Sequence, residues 1–328
     1  MISYATLPKI ELHLHLDCSL SFDVVRLLDP TVTETEYRQS FVAPAKCTDL
    51  ADFITRALKG IALMQTKEQL HLVTLDLIRQ LAADHVIYAE IRFAPLEHLH
   101  QGLTPFEVVS TVNEAVMEGV VQTGVEIGII LCTLRHYTEA QSMETVQLLD
   151  QFQNTRVVGF DIAADEAGFP IDAHVRAFAY AQEKGYHCTA HAGEAKGPES
   201  VWETLQHFHP ARIGHGVRSY EDPALMEWLK KQNIHLEVCP TSNVQTNIYD
   251  TIEHHNVDQI YRSGVSMSIN TDARTISDVT LGSEYQTLER VFAWTKAHFL
   301  RCNLEAVEHA FATEEVKARL REKLRASY

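Results

Sequence analysis

What the chain lacks narrows its function first. No stretch of its 328 residues approaches 18 consecutive apolar side chains, so no membrane-spanning helix is expected. Basic residues are outnumbered, 28 Lys and Arg against 44 Asp and Glu. A formal net charge of −16 argues against a general nucleic-acid or membrane-surface binder, since both need basic patches. A small nucleoside or nucleotide stays admissible. The six cysteines, at 18, 47, 132, 188, 239 and 302, form no Cys-x-x-Cys pair and no disulfide framework, which fits a reducing compartment. Met1 to Pro8 has no basic segment followed by an apolar one, so a cytoplasmic location is expected. There is no linker, low-complexity tract or internal repeat, and one domain over residues 1–328 is expected.

What is present alternates. Apolar runs bounded by turn residues fall near 10–16, 86–93, 125–132, 157–163, 187–191, 212–215, 235–239 and 265–271. Helical periodicity separates most of them. Eight β/α alternations in this length predict an α/β fold, a (β/α)₈ TIM barrel. The competing architecture is an open doubly wound sheet. No Gly-x-Gly-x-x-Gly stands at a first strand–helix turn, which counts against its dinucleotide-binding form. Residues 20–82 exceed a minimal connection. The extra helices expected there form either a lid over a site or a plain insertion, and further helices fill the C-terminal tail.

The polar residues at strand ends carry the chemistry. From residue 10 the first strand alternates strictly, Ile10, Leu12, Leu14 and Leu16 against Glu11, His13, His15 and Asp17, so two imidazoles share a face. His191-Ala192-Gly193-Glu194 closes the fifth strand with an imidazole and a carboxyl group beside it. Asp165 and Glu166 follow the fourth strand, His215 ends the sixth and Asp272 the eighth. In a barrel these ends share one mouth. Three imidazoles and a carboxylate make a site for a borderline metal such as Zn²⁺, with His13, His15, His191 and Asp272 as ligands and Glu194 and His215 left for proton work.

His-Leu-His-Leu-Asp17, His-Ala-Gly-Glu194, Ile-Gly-His-Gly216, Cys-Pro-Thr-Ser-Asn243 and Asn-Thr-Asp272 together resemble the adenosine deaminase family of the amidohydrolase superfamily, in family order and spacing from residue 9 to 274. The resemblance implies the same barrel, one zinc ion per chain, and hydrolytic deamination of adenosine or 2′-deoxyadenosine in purine salvage. In that scheme water is activated at the zinc, Glu194 protonates the purine ring nitrogen, His215 orients the attacking water, and Asp272 both binds metal and accepts a hydrogen bond. Substrate contacts carried over are Asp17 near the ribose hydroxyls, the backbone at Ala164 beside the purine, Leu50 and Phe53 in the lid, and His15 and Gly193. The expected partner is a small purine nucleoside; oligomeric state stays open.

Two related classes do not fit. The chain lacks the Pro-Cys-x-x-Cys of cytidine-deaminase-type zinc enzymes, and Val157 to Ala163 holds no lysine for a binuclear amidohydrolase. The chain also departs from the commoner family pattern, with Cys18 and Ala164 where glycine is usual and Ala273 where a second aspartate often contacts a purine ring nitrogen. Ala273 bears on substrate choice, so adenine, an N6-substituted AMP or a modified nucleoside is the alternative. A phosphate-bearing substrate would need a cationic pocket, for which Arg56, Lys59 and Arg274 are the candidates. A purine-binding protein without turnover would have no need of a general acid.

Overall fold

The computed structural model describes residues 4–328; Met1–Ser3, part of the stretch read for a leader, lie outside it. Eight parallel strands follow one another in sequence order: β1 (Lys9–His15), β2 (Val86–Phe93), β3 (Glu126–Leu134), β4 (Val157–Ala163), β5 (His187–Ala192), β6 (Arg212–His215), β7 (His235–Val238) and β8 (Met267–Ile269). The ring closes through a parallel bridge between Leu14 and Asp272, in which His15 N–H donates to Asp272 O at 2.8 Å and Asp272 N–H to His13 O at 3.0 Å. The structure is thus the barrel expected from the sequence.

β3 is buried almost throughout, as a near-continuous apolar run under covering helices should be, and β2 is buried along its whole length although Glu90 and Arg92 interrupt its apolar residues. Helix ends follow local chemistry. Thr104 caps Pro105–Thr123 with Glu107 reaching back, and Gly124, at φ +74°, turns that helix into β3. Five helices lie between β1 and β2, and three form the tail, Leu281–Phe292, Lys296–His309 and Glu314–Ser327.

The interior is not purely aliphatic. Arg92 of β2 donates to Asp161 of β4 at 2.8 Å and to Glu237 of β7 at 2.7 Å. Arg212 of β6 donates to Glu237 at 2.6 Å and also to Glu90 of β2. Three of these links, Arg92 to Asp161, Arg92 to Glu237 and Arg212 to Glu90, join strands that are not neighbours, so they cross the barrel's inside. All five groups are fully buried. A lone buried charge costs several kcal/mol, and here each has an opposite partner.

The expected last strand, 265–271, is shorter in the structure, Met267–Ile269. A side chain takes over the pairing beyond it: Asn270 Oδ1 accepts from Leu12 N–H at 2.8 Å and from His13 N–H at 3.2 Å.

Candidate active site

The strand tips turn sharply, and the turns aim the side chains. Ala164 (φ +79°), His215 (φ +58°) and Asp272 (φ +64°) hold left-handed backbone that L-residues rarely adopt. Such conformations cluster at working sites, where the surroundings over-determine them. At position 164 this also explains why glycine would be an easy occupant.

His13, His191, His215 and Asp272 are all buried, and one ligand atom from each lies within 4.8 Å of the others. His15 joins them, its Nε2 3.2 Å from His191 Nε2 and 3.4 Å from Asp272 Oδ1. The donor chemistry suits a cation. His13 Nδ1 faces Glu237 Oε2 at 2.7 Å, and His191 Nδ1 faces Asp161 at 3.1 Å. A carboxylate only accepts, so each Nδ1 carries the proton and each Nε2 keeps its lone pair toward the cluster. His13 Nε2 is buried without a hydrogen-bond partner, 3.3 Å from Asp272 Oδ1. An acceptor left bare in this way fits a metal ion.

Glu194 is buried beside this cluster, its Oε2 3.5 Å from His215 Nε2. Burial, reinforced by the Asp272 and Glu166 carboxylates, pushes its carboxyl well above the usual carboxylate range. A carboxyl group kept neutral at working pH is a proton donor. The loop that holds it is fixed from below. Glu166 accepts from the backbone N–H of Gly193 at 2.7 Å, Glu194 at 3.0 Å and Lys196 at 2.9 Å, and from the Ser200 hydroxyl at 2.6 Å. Glu166 was expected at the mouth and instead sits under the loop. Gly193, expected at the substrate, has its N–H taken by Glu166 and does not line the cavity.

The short helix Pro240–Gln245 is the part the sequence reading missed. Ser242 donates to Asp272 Oδ2 at 2.7 Å, Asn243 meets His215 Nδ1 at 3.1 Å, and Thr246, just past the helix, donates to Glu194 Oε1 at 3.3 Å. The Cys-Pro-Thr-Ser-Asn run marks the segment, but its spacing does not say which group each residue meets.

The cavity above the cluster measures about 240 Å³ and includes His15, Asp17, Ala164, His191, Glu194, His215 and Asp272. One wall is apolar, built from Leu50, Phe53, Ala57, Ala273 and Ile276. The polar side carries Asp17, whose carboxyl is raised to about 6, chiefly by burial, together with Glu97 and His136. Among the described residues, no lysine or arginine lines the cavity. The phosphate candidates are not in this lining: Arg274 is buried and paired with Glu11 at 2.7 Å and Asp84 at 3.0 Å, while Arg56 and Lys59 lie outside it.

The comparisons with known proteins agree with this geometry. A family model described as adenosine deaminase matches residues 8–327. An adenosine deaminase of Clostridium acetobutylicum is 33% identical over 325 residues, 97% of each chain. One from Enterococcus faecalis is 34% identical over 328 residues, 98% of this chain and 97% of that one. The crystal structure of an adenine deaminase from Arthrobacter aurescens has a TM-score of 0.90 at 25% identity, covering 98% of this chain and 99% of its own. With the barrel, the buried His/Asp cluster and a match along nearly its whole length, this chain belongs to the adenosine deaminase family of hydrolytic enzymes.

Proposed function

We propose that the chain removes the 6-amino group of adenosine and 2′-deoxyadenosine by hydrolysis, using a zinc ion held by His13, His15, His191 and Asp272. The observation that carries this reading is Glu194, a buried carboxyl 3.5 Å from His215 beside a His/Asp cluster, at the floor of a cavity of about 240 Å³. Bound zinc supplies the acidity that makes a water nucleophilic near neutral pH.

The protein's own groups do the rest. Glu194 gives its proton to the purine ring nitrogen next to the attacked carbon, which removes the aromaticity that resists attack. His215 lies beside Glu194 and orients the attacking oxygen as charge develops. Asp272, steadied by Ser242, accepts a hydrogen bond from the same oxygen. Leu50 and Phe53 cover the ring and keep bulk water out. Asp17 and His15 face the sugar, and the backbone at Ala164 faces the purine edge.

The lining favours a neutral substrate. Asp17, Glu97 and Asp165 would repel a phosphate, and the described lining has no cation to offset them. A second reading is deamination of the free base adenine, the substrate named for the Arthrobacter aurescens neighbour. Ala273 leaves the wall apolar and offers no hydrogen bond to a ring nitrogen, so contacts to the ring do not by themselves select the nucleoside.

The test is ultraviolet conversion of adenosine to inosine by the zinc-loaded protein, with a chelator-stripped control and with 2′-deoxyadenosine, adenine and AMP in parallel. Metal-dependent turnover of the nucleosides, with AMP at least about 100-fold poorer in kcat/KM, is expected. A preference for adenine would establish the second reading. No ammonia from any of the four would refute both.

A further inference from the structure

We propose that His255, which does not line the cavity, sets the tautomer of His215 through Asn243, making His215 an N–H donor at Nε2 and withdrawing it from the metal. The inference rests on the reading above, in which His215 faces the reacting oxygen.

The argument starts from a donor that has no ambiguity. Val257 backbone N–H donates to His255 Nδ1 at 3.0 Å. A ring nitrogen that accepts carries no proton, so a neutral His255 bears its proton on Nε2. His255 is fully buried, and burial brings its pKa down to about 3, so it is neutral at any working pH. Its Nε2 lies 3.3 Å from Asn243 Oδ1. This fixes the amide: the oxygen accepts from His255, and the Nδ2 group turns to His215 Nδ1 at 3.1 Å. An amide nitrogen only donates. His215 Nδ1 must therefore accept, and a neutral His215 carries its proton on Nε2. That N–H lies 3.5 Å from Glu194 Oε2, longer than a good hydrogen bond, so it is free to address what enters between them.

The other buried histidines of the cluster are set the opposite way. Glu237 behind His13 and Asp161 behind His191 hold the proton on Nδ1, the tautomer a metal ligand needs. His215 sits in the same tight group. An amide behind it, in place of a carboxylate, gives it a donor where the others offer lone pairs. His15 Nε2, 3.4 Å from Asp272 Oδ1, then completes the ligand set.

The test reads protonation directly, without substrate. Long-range proton–nitrogen spectra of metal-free protein labelled in its histidine rings, with His215→Ala to identify the resonances, should show His215 as the Nε2–H form. Asn243→Asp can only accept, and should move the proton to Nδ1 while lowering kcat about 100-fold with KM within about threefold. His255→Gln keeps an N–H near the Nε2 position and should retain the spectrum and most of kcat. His255→Leu removes the donor, and should mix the two forms and lower kcat at least about 10-fold. His215→Ala should keep its zinc, whereas His15→Ala should lose it. The relay is overturned by an Nδ1–H form in the parent protein, by equal losses in the Gln and Leu variants, or by loss of zinc in His215→Ala. If the parent turned over no aminopurine, the spectra would still decide the tautomer, so the two failures are distinguishable.

Discussion

Replacing Gly214 by alanine adds one carbon atom in a position that the structure leaves no room for. Gly214 lies on β6 against the first and fifth strands. A Cβ there would stand 2.9 Å from His13 Cε1 and 3.2 Å from both Cα and Cγ of His191. Carbon atoms settle at about 3.5–4.0 Å, so roughly half an ångström must be found. Neither neighbour yields easily. The His13 ring is fully buried and held by Glu237 at 2.7 Å, and His191 Cα belongs to a paired strand. The displacement passes to two proposed ligand nitrogens. Overpacking of this kind costs about 1–3 kcal/mol of stability, and disturbing the support of ligand histidines lowers metal affinity about 10–100-fold. Zinc competition with a chromogenic chelator and urea unfolding measure the two effects. Gly124→Ala is the control. Its backbone, at φ +74°, is strained by any side chain, but no atom lies within 4 Å of the added carbon. It should cost about 1 kcal/mol of stability and leave zinc affinity unchanged. Parent-like zinc affinity and unfolding midpoint in Gly214→Ala would refute the close packing of β6 against the two histidines.

Two further outcomes follow from buried carboxylates. Glu166→Ala frees three backbone N–H groups around Glu194, each costing about 1–3 kcal/mol if left unmet; kcat should fall well beyond KM, as read by steady-state kinetics on protein verified to be folded. Glu284 is fully buried, accepts from Thr241 N–H at 3.1 Å, and has its carboxyl raised to about 7 by burial. With the folded-state value above the unfolded one, the native state holds a proton that the unfolded chain releases. Stability is therefore fully present below about pH 4.5 and declines by roughly 3 kcal/mol as pH rises to 7. Urea midpoints of Glu284→Gln minus parent should grow over that window, and a flat difference would contradict the burial of a proton there.

The parts of this molecule legible in the sequence are those governed by short-range periodicity. Strict alternation at residues 10–17 places His13 and His15 on one face, and the strand-end positions of His191, His215 and Asp272 bring them to one mouth. What was not legible depends on contacts between distant segments. Glu166 reads as a mouth residue from its position after β4, yet four donors from residues 193–200 hold it under the loop. Arg274 follows Asp272 closely enough to pass for a substrate contact, but Glu11 and Asp84 claim it. Glu90, Arg92, Asp161, Arg212 and Glu237 are charges on strands, a signal present in the sequence, but only the closed barrel shows which pairs with which. The truncation of β8 could not be read either, because Asn270 reaches β1 across 258 residues of chain.

That seam between first and last strands has a consequence for assembly. Residues that meet there, Leu12 with Asn270 and Leu14 with Asp272, come together only after almost the whole polypeptide has been laid down. Closing so large a loop is entropically costly and is among the last things a chain can do. The proposed ligands His13, His15 and Asp272 straddle the join, so an ion held among them would act as a clasp on a ring. A nascent or partly unwound chain cannot offer those donors in one place. On the proposed function, metal capture comes after closure, and an incomplete barrel is also an inactive one.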